Sequence, residues 1–179
     1  MAFARKKMNV HPAELRQAIR VGDHRGNTSG HCPGYVQCNL VILPNETAID
    51  FKQFCDLNPK PCPLLATSPS AGDYSLPSLG EIDVRSDLPS YRVFIDGQLK
   101  EELTDIKAMW SEELVAFAIG CSFSFEEALM LDGLEIRNVS AGTNVPMYIT
   151  NLDCKPSGPF AGKMVVSMRP FNKSDAERA

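Results

Sequence analysis

The hydrophobic positions at the start of the chain follow two different periods. Residues 11–20 place their apolar side chains on one helical stripe, with a proline in the first turn, which predicts a helix. Residues 35–43, YVQCNLVIL, have the short β-branched run of a buried strand, which Pro44 ends. Residues 48–57 return to helical spacing and predict an amphipathic helix. A strand, a turn and a helix in this order indicate the start of an α/β unit.

The middle of the chain is punctuated by proline and glycine. Residues 58–63, NPKPCP, carry three prolines, which exclude a regular helix or a central strand. Residues 66–90 continue as an irregular connection rich in proline, serine and glycine. Two short alternating runs, Tyr91–Ile95 and Gln98–Leu103, flank Asp96-Gly97 and predict a tight β-hairpin.

The last third predicts two helices followed by two strands. The apolar run of residues 112–119 is interpreted as a helix that Gly120 ends. A second helix is expected from Ser124, where Ser124 and Glu127 match a capping box and the apolar residues from Phe125 to Leu131 would face the core. Residues 146–151 and 164–168 are predicted strands, and the chain is polar after Pro170.

Composition and charge limit the class of protein. The 179 residues include 18 Lys+Arg and 22 Asp+Glu, a formal charge of −4, and 44% are hydrophobic. These values exclude a disordered chain and a strongly basic nucleic-acid binder, and no apolar run approaches the roughly 20 residues of a membrane helix. The sequence therefore predicts a soluble α/β protein that binds neither nucleic acid nor membrane.

The N-terminus bears on the cellular location. Arg5, Lys6 and Lys7 are not followed by the apolar segment of a secretory signal. A mitochondrial transit peptide is the alternative, but Glu14 and Asp23 interrupt the basic region. We expect a cytoplasmic protein.

The cysteines and the missing motifs bear on cofactors. The six cysteines form no C-x-x-C pair, and the three histidines lie near the N-terminus, so free thiols are expected and a metal site is not. Phosphate-binding, dinucleotide-binding and serine-hydrolase motifs do not occur. No cofactor is predicted.

The segment 120–124, GCSFS, is the first candidate for chemistry. Between two predicted helices it lies at a helix start, where unpaired backbone N–H groups attract anions. The hydroxyls of Ser122 and Ser124 could then hold a substrate carboxylate, while simple helix capping is the alternative. Cys121 is either a low-pKa nucleophile or a buried inert thiol.

Other candidates are spread along the chain. The stiff proline segment could present Asn58 or Lys60 to a ligand, and a rigid structural corner is the alternative. Arg169 could clamp a carboxylate with its guanidinium group, and Glu126 is a candidate acid or base. Around the predicted hairpin entry, surface solvation is the usual explanation for charged residues such as Asp87.

Six ordered strings between about residues 10 and 170 resemble one family. They are GYVQCNLVILP (34–44), DFKQFCDLNPKPCPLL (50–65), DVRSDLPSYRVFIDG (83–97), ELVAFAIGCSFSFEEAL (113–129), NVPMYITN (144–151) and GPFAGKMVVSMRP (158–170). Together they resemble the D-glutamate cyclase family, whose bacterial members are named as hydro-lyases. The resemblance implies an α/β fold, with a mixed sheet and helices on its faces, plus a smaller α+β portion. We assign 1–110 to the first and 111–179 to the second, continuous with it.

The resemblance also implies a reaction, the interconversion of D-glutamate with 5-oxo-D-proline and water, or the same chemistry on a related carboxylic acid. On this hypothesis Glu126 and Lys60 are catalytic, and the substrate contacts are Ser122, Ser124, Cys121, Arg169 and Asn58. A small carboxylate is then the partner, and a homo-oligomer is compatible with the sequence. The alternative is a non-catalytic carboxylate-binding or structural protein.

The length differs from the family pattern. Family members continue past the SMRP string, whereas this sequence ends at Ala179. We therefore expect the 179 residues to correspond to roughly the first two-thirds of a larger α/β protein. This expectation gives weight to the non-catalytic alternative, which the composition by itself does not favour.

Overall fold

A computed structural model describes residues 10–179 of the chain, so the basic residues 5–7 lie outside the described part. In that part the helices are α1 (Pro12–Arg20), α2 (Asn45–Leu57), α3 (Glu126–Leu131), α4 (Arg137–Ser140) and α5 (Lys173–Arg178). The strands are β1 (Cys38–Pro44), β2 (Leu64–Thr67), β3 (Tyr91–Ile95), β4 (Gln98–Leu103), β5 (Leu114–Gly120), β6 (Met147–Asp153) and β7 (Lys163–Ser167).

Strand β5 is the centre of the main sheet. The strand order is β1-β5-β2, and β5 pairs antiparallel with both neighbours. The helix predicted over residues 112–119 is therefore wrong. An apolar run this short fits a strand that is covered on both faces as well as it fits a buried helix, and periodicity cannot separate the two.

The two faces of β5 explain its composition. On one face Val115 and Phe117 pack against Ala48 of α2, and Phe117 meets Phe51 edge to face with ring centroids 5.0 Å apart. On the other face the small side chains of β5, Ala116 and Ala118, form a second cluster with residues of the irregular connection. Because both faces are buried, β5 has no polar alternation that could have marked it as a strand.

The irregular connection covers the second face. Leu76 and Val84, both from the irregular connection, are almost fully buried there. The prediction of irregular structure over residues 66–90 is largely correct, but it missed the four-residue strand β2, which starts directly after Pro63. Helix α2 covers the first face and starts at Asn45, three residues earlier than predicted.

Two hairpins lie outside the main sheet. The predicted β3–β4 hairpin is confirmed, and its turn residues Asp96 and Gly97 have φ angles of 50° and 73°, as a primed turn requires. The two strands predicted near the C-terminus are also confirmed, as the antiparallel pair β6–β7.

The predicted mixture of helices and sheet is confirmed, whereas every pairing of the named strands is antiparallel, so the sheet is not mixed. Strand β5 belongs to 111–179 and lies between two strands of 1–110, so the two predicted portions share one sheet. Between residues 10 and 179, no helix is long and apolar enough to cross a membrane.

Candidate functional site

The candidate site begins where β5 ends. Gly120 donates its backbone N–H to the carbonyl of Pro63 at 2.8 Å, and Cys121 donates to the carbonyl of Gln37 at 3.0 Å. A 3-10 turn, Ser122–Phe125, then leads into α3. The segment predicted to join two helices therefore joins the central strand to a short helical turn.

The predicted capping box is not formed. The Ser124 hydroxyl donates to the Gln37 carbonyl at 3.2 Å and accepts from the Gln37 N–H at 2.9 Å. The Glu127 carboxylate accepts from the backbone N–H of Gly34. Both side chains fix the segment before β1 instead of capping a helix, and α3 has no side-chain cap. The side chains of Phe125 and Leu131, predicted to face the core, are exposed.

Five side chains converge beside this turn and are called the Arg169 cluster. Arg169 donates from Nε and Nη2 to Oε1 of Glu126 at 2.8 and 2.6 Å. Its Nη1 donates to the Ser167 hydroxyl at 3.0 Å, and its Nη2 lies 3.3 Å from the Ser122 hydroxyl. The two hydroxyls lie 3.0 Å apart, and Asn138 Nδ2 lies 3.5 Å from Oε1 of Glu126.

The ion pair of this cluster is buried. The side chains of Arg169 and Glu126 are only 6% and 7% exposed, and the Phe125 ring lies 4.7 Å from the Arg169 guanidinium carbon. Removing charges from water is costly, so such a pair is favourable only when its remaining hydrogen-bonding groups find partners. The serine hydroxyls and Asn138 supply those partners.

The two carboxylate oxygens of Glu126 differ in their hydrogen bonds. Both Arg169 bonds and the Asn138 contact go to Oε1, and none of the bonds within the described chain goes to Oε2. Every buried side-chain nitrogen or oxygen between residues 10 and 179 has a hydrogen-bond partner. Oε2 is therefore not completely enclosed.

Of the residues predicted from the sequence, the structure brings together Ser122, Glu126 and Arg169. Ser124 and Cys121 are their chain neighbours but contact Gln37. Neither Asn58 nor Lys60 takes part in the bonds of the Arg169 cluster.

Asn58 is occupied at another position. Its Nδ2 donates to the carbonyls of Phe54 and Lys155 at 2.7 and 2.8 Å, and its Oδ1 accepts from the Lys155 N–H at 2.8 Å. These bonds attach the end of α2 to the loop between β6 and β7. Lys60 is exposed in the turn that follows.

The sequence interpretation missed Ser167 and Asn138. For Ser167 a signal existed, because it stands two positions before Arg169, and such positions of an extended chain lie on one face. For Asn138 no signal existed, since it lies on α4, 12 residues from Glu126, and only the packing of α4 brings it near.

A second buried carboxylate lies elsewhere. Asp87, expected at the surface, is 4% exposed. It accepts from Arg20 of α1 at 2.5 and 2.7 Å and from the backbone N–H of Asp83 at 2.9 Å, and so joins α1 to the loop that precedes β3. An open hollow of about 570 Å³ beside Arg20 and Asp83 contains no residue of the Arg169 cluster.

The cysteines are free thiols, of which Cys55 and Cys154 are buried. Within residues 10–179, no group of three His, Cys, Asp or Glu side chains is arranged to hold a metal ion. Desolvation raises the pKa of the Cys55 thiol from its ordinary value near 9 to about 11, and Cys62 adds to the shift.

This shift predicts a pH dependence of stability. Burial in the folded protein favours the neutral form of the Cys55 thiol. The contribution of this thiol to the free energy of unfolding is therefore fully present below pH 9 and is lost as pH rises towards 11. We expect the free energy of unfolding to fall over that range. The fall should be smaller for Cys55→Ala, as measured by urea unfolding at several pH values. Parallel curves for the two proteins would contradict this expectation.

Comparisons with known proteins add an independent observation. The D-glutamate cyclase family model matches residues 115–179, which contain β5 from Val115 onward and the whole Arg169 cluster. A candidate hydro-lyase of Verminephrobacter eiseniae is 57% identical over 93% of this chain and 61% of its own length. Similar proteins with the same name occur in Bordetella petrii, 56% identical over 92% of this chain and 62% of their length, and in Rhodopseudomonas palustris, 54% identical over 93% and 61%.

These alignments have unequal coverage. The match takes in nearly all of this chain but about three-fifths of each of these relatives. The shared part therefore includes the main sheet, and about two-fifths of each relative has no counterpart in it.

Proposed function

The chain belongs to the D-glutamate cyclase family, and on that premise we propose that its Arg169 cluster is the carboxylate site of a hydro-lyase. The substrate class is a small amino-dicarboxylic acid, with the interconversion of D-glutamate and 5-oxo-D-proline plus water as the reaction. The observation that carries the proposal is the buried guanidinium with two serine hydroxyls at its nitrogens and, beside it, a Glu126 carboxylate whose Oε2 accepts none of the hydrogen bonds within the described chain.

The reaction sets clear requirements. The amino nitrogen of D-glutamate forms a bond to the side-chain carboxyl carbon, and one oxygen leaves that carbon as water. The nitrogen loses two protons and the departing oxygen gains two, so protons are conserved overall. Because a carboxylate is a poor electrophile, the site must neutralise its charge and carry protons from nitrogen to oxygen.

Arg169 meets the first requirement. Its Nη1 and Nη2 now donate to neutral serine hydroxyls at 3.0 and 3.3 Å. A substrate carboxylate that displaces these hydroxyls would form charge-assisted bonds, which are shorter and stronger than bonds to a neutral oxygen. Ser122 and Ser167 can then turn and donate their own O–H groups to the same carboxylate.

Glu126 meets the second requirement. Arg169 and Asn138 hold its Oε1, which leaves Oε2 as the atom that takes a proton from the substrate ammonium. The same atom can return the proton to the departing oxygen. Ser124 and Cys121 would border the site on the side of Gln37, whereas the contacts of Asn58 and the position of Lys60 give neither a role in this proposal.

The test of this function is Ser122→Ala. The wild-type chain is expected to interconvert D-glutamate and 5-oxo-D-proline in an NMR assay with either compound supplied. The variant should lose about tenfold to a hundredfold in kcat/KM, because one donor to the carboxylate is removed, while stability changes by about 1 kcal/mol.

The matched control is Ser90→Ala, which removes an exposed hydroxyl and should change neither quantity. Equal turnover by wild type and Ser122→Ala would refute the role of the cluster. Absence of turnover in a folded wild-type chain would refute the reaction for this chain.

A second function is favoured by the burial of the cluster. An ion pair that is 6% and 7% exposed and has its own partners is typical of a structural joint or a passive binding site. As a non-catalytic carboxylate-binding or structural protein, the chain would be unable to form product. The binding form predicts a higher Tm with D-glutamate or glutarate and no product. The structural form predicts an unchanged Tm and no product.

A further inference from the structure

The β6–β7 hairpin exposes apolar side chains on both of its faces. Directly opposite residues share a face, so Ile149 and Val165 lie on one face and Tyr148 and Val166 on the other. Their exposed fractions are 76% and 50% on the first face and 52% and 37% on the second. Met147, at the start of β6, is also exposed. A two-stranded ribbon normally needs a covered face to be stable in water.

Within residues 10–179, the hydrogen bonds and ring contacts that attach the hairpin to the rest of the chain lie near its two ends. At the loop end, Phe160 packs against Phe51 of α2 with ring centroids 5.2 Å apart, and Lys155 is bonded to Asn58. At the other end, Ser167 contacts Ser122 of the Arg169 cluster. The apolar residues lie between these two attachments.

The total surface of the chain is larger than its mass requires. A folded monomer of 19.7 kDa is expected to expose about 8,600 Å², whereas this chain exposes 11677 Å². The excess is larger than the roughly 800 Å² that one partner contributes to a standard interface.

The distribution of charged residues along the hairpin also favours its burial by another polypeptide. Asp153 ends β6 and Lys163 begins β7. The Lys163 ammonium lies 2.7 Å from the Asp153 carboxylate, so these two charges compensate each other. The middle of the ribbon presents no charged residue from Met147 to Leu152 or from Met164 to Ser167. Among the strands of residues 10–179, each strand of this ribbon pairs only with the other, so each has a free backbone edge that is able to pair with an added strand.

We propose that the β6–β7 hairpin is a docking face for polypeptide, and that its occupant corresponds to the two-fifths of the Verminephrobacter eiseniae relative outside the match. The relative has the same matched region at 57% identity and additional chain of a length able to cover such a face. The occupant buries the apolar side chains and extends the ribbon by strand pairing. The hairpin then links this added layer directly to the Arg169 cluster through Ser167.

The test is co-expression of the full 179-residue chain with a polypeptide made of the unmatched residues of that relative. The two should co-purify in equal amounts. Ile149→Lys with Val165→Lys should weaken the association at least tenfold. The matched control replaces the opposite and similarly exposed pair of β3–β4, Phe94→Lys with Leu99→Lys, and should leave the association intact.

A second measurement guards against failure of the separate polypeptide to fold. The unmatched residues are joined to this chain in the order in which they occur in the relative, and amide hydrogen exchange is measured in β6 and β7. Slower exchange than in the 179-residue chain is expected. The proposal is overturned by co-purification that the β6–β7 substitutions leave unchanged. It is also overturned by equally fast exchange in a folded joined protein. A dimer of the 179-residue chain in light scattering that the β6–β7 substitutions abolish would overturn it too, because the face would then pair with a second copy.

Discussion

Replacing Arg169 with methionine is expected to lower the free energy of unfolding by about 3–5 kcal/mol. The substitution leaves the Glu126 carboxylate buried without its cation. The free-energy cost of removing this carboxylate from water is then no longer compensated by the ion pair. Glu126→Leu should be destabilising for the converse reason. Urea denaturation of the purified variants measures both effects.

The double variant measures the interaction energy between Arg169 and Glu126 separately from their contacts with other residues. Arg169→Met with Glu126→Leu removes both charges, so it should be more stable than the two single effects predict by about 1–3 kcal/mol. The exposed pair Arg92–Glu102, at 2.7 Å with side chains 68% and 52% exposed, provides the control cycle. Its coupling should be at most about 1 kcal/mol. A cost below about 1 kcal/mol for Arg169→Met would contradict the buried-pair assignment.

The same double variant also bears on function. A folded protein without either charge is expected to have no turnover with D-glutamate, whereas the Arg92–Glu102 variants should retain it. Retention of turnover in the double variant would move the chemistry away from the Arg169 cluster. Stability and activity would then have separate origins in this chain.

The second large effect is expected at Phe117. Its side chain is 1% exposed at the centre of β5 and packs against Ala48 and Phe51. Phe117→Ala should lower the free energy of unfolding by about 3–5 kcal/mol, since it removes a fully buried aromatic side chain and leaves a cavity between α2 and the sheet.

Phe94→Ala is the control for this substitution, because Phe94 is 59% exposed on the β3–β4 hairpin. It should change stability by no more than about 1 kcal/mol. Chemical denaturation of both variants, with circular dichroism to confirm the fold, makes the comparison. Similar costs at the two positions would show that β5 is not the centre of the core.

The exposed ribbon and the Arg169 cluster meet at Ser167. Its hydroxyl contacts both Arg169 and Ser122, while the strand that carries it lies on the proposed docking face. A polypeptide seated on β6–β7 would therefore lie next to the candidate site. On the docking proposal, the part of the relatives outside the match therefore borders the candidate site.

Local patterns determined much of this structure. The β3–β4 hairpin followed from Asp96-Gly97, because few residues other than glycine and aspartate or asparagine accept the backbone angles of a primed turn. Helix α1 followed from its apolar stripe, and the candidate residues Ser122, Glu126 and Arg169 followed from charge and hydrogen-bonding capacity. In each case the physical cause lies within a few residues of the chain or in the residue itself.

The tertiary structure decided the rest. Residues 114–120 are a strand only because β1 and β2 flank them and α2 and the irregular connection cover both faces, and all of these partners are distant in sequence. Ser124 and Glu127 contact the segment before β1 because that segment lies within reach of their oxygens, which no local pattern reports. The pairing of Glu126 with Arg169, 43 residues apart, depends on where β7 and α3 pack. Sequence alone shows which side chains can carry charge, and only the packing of distant segments shows which of those charges meet away from water.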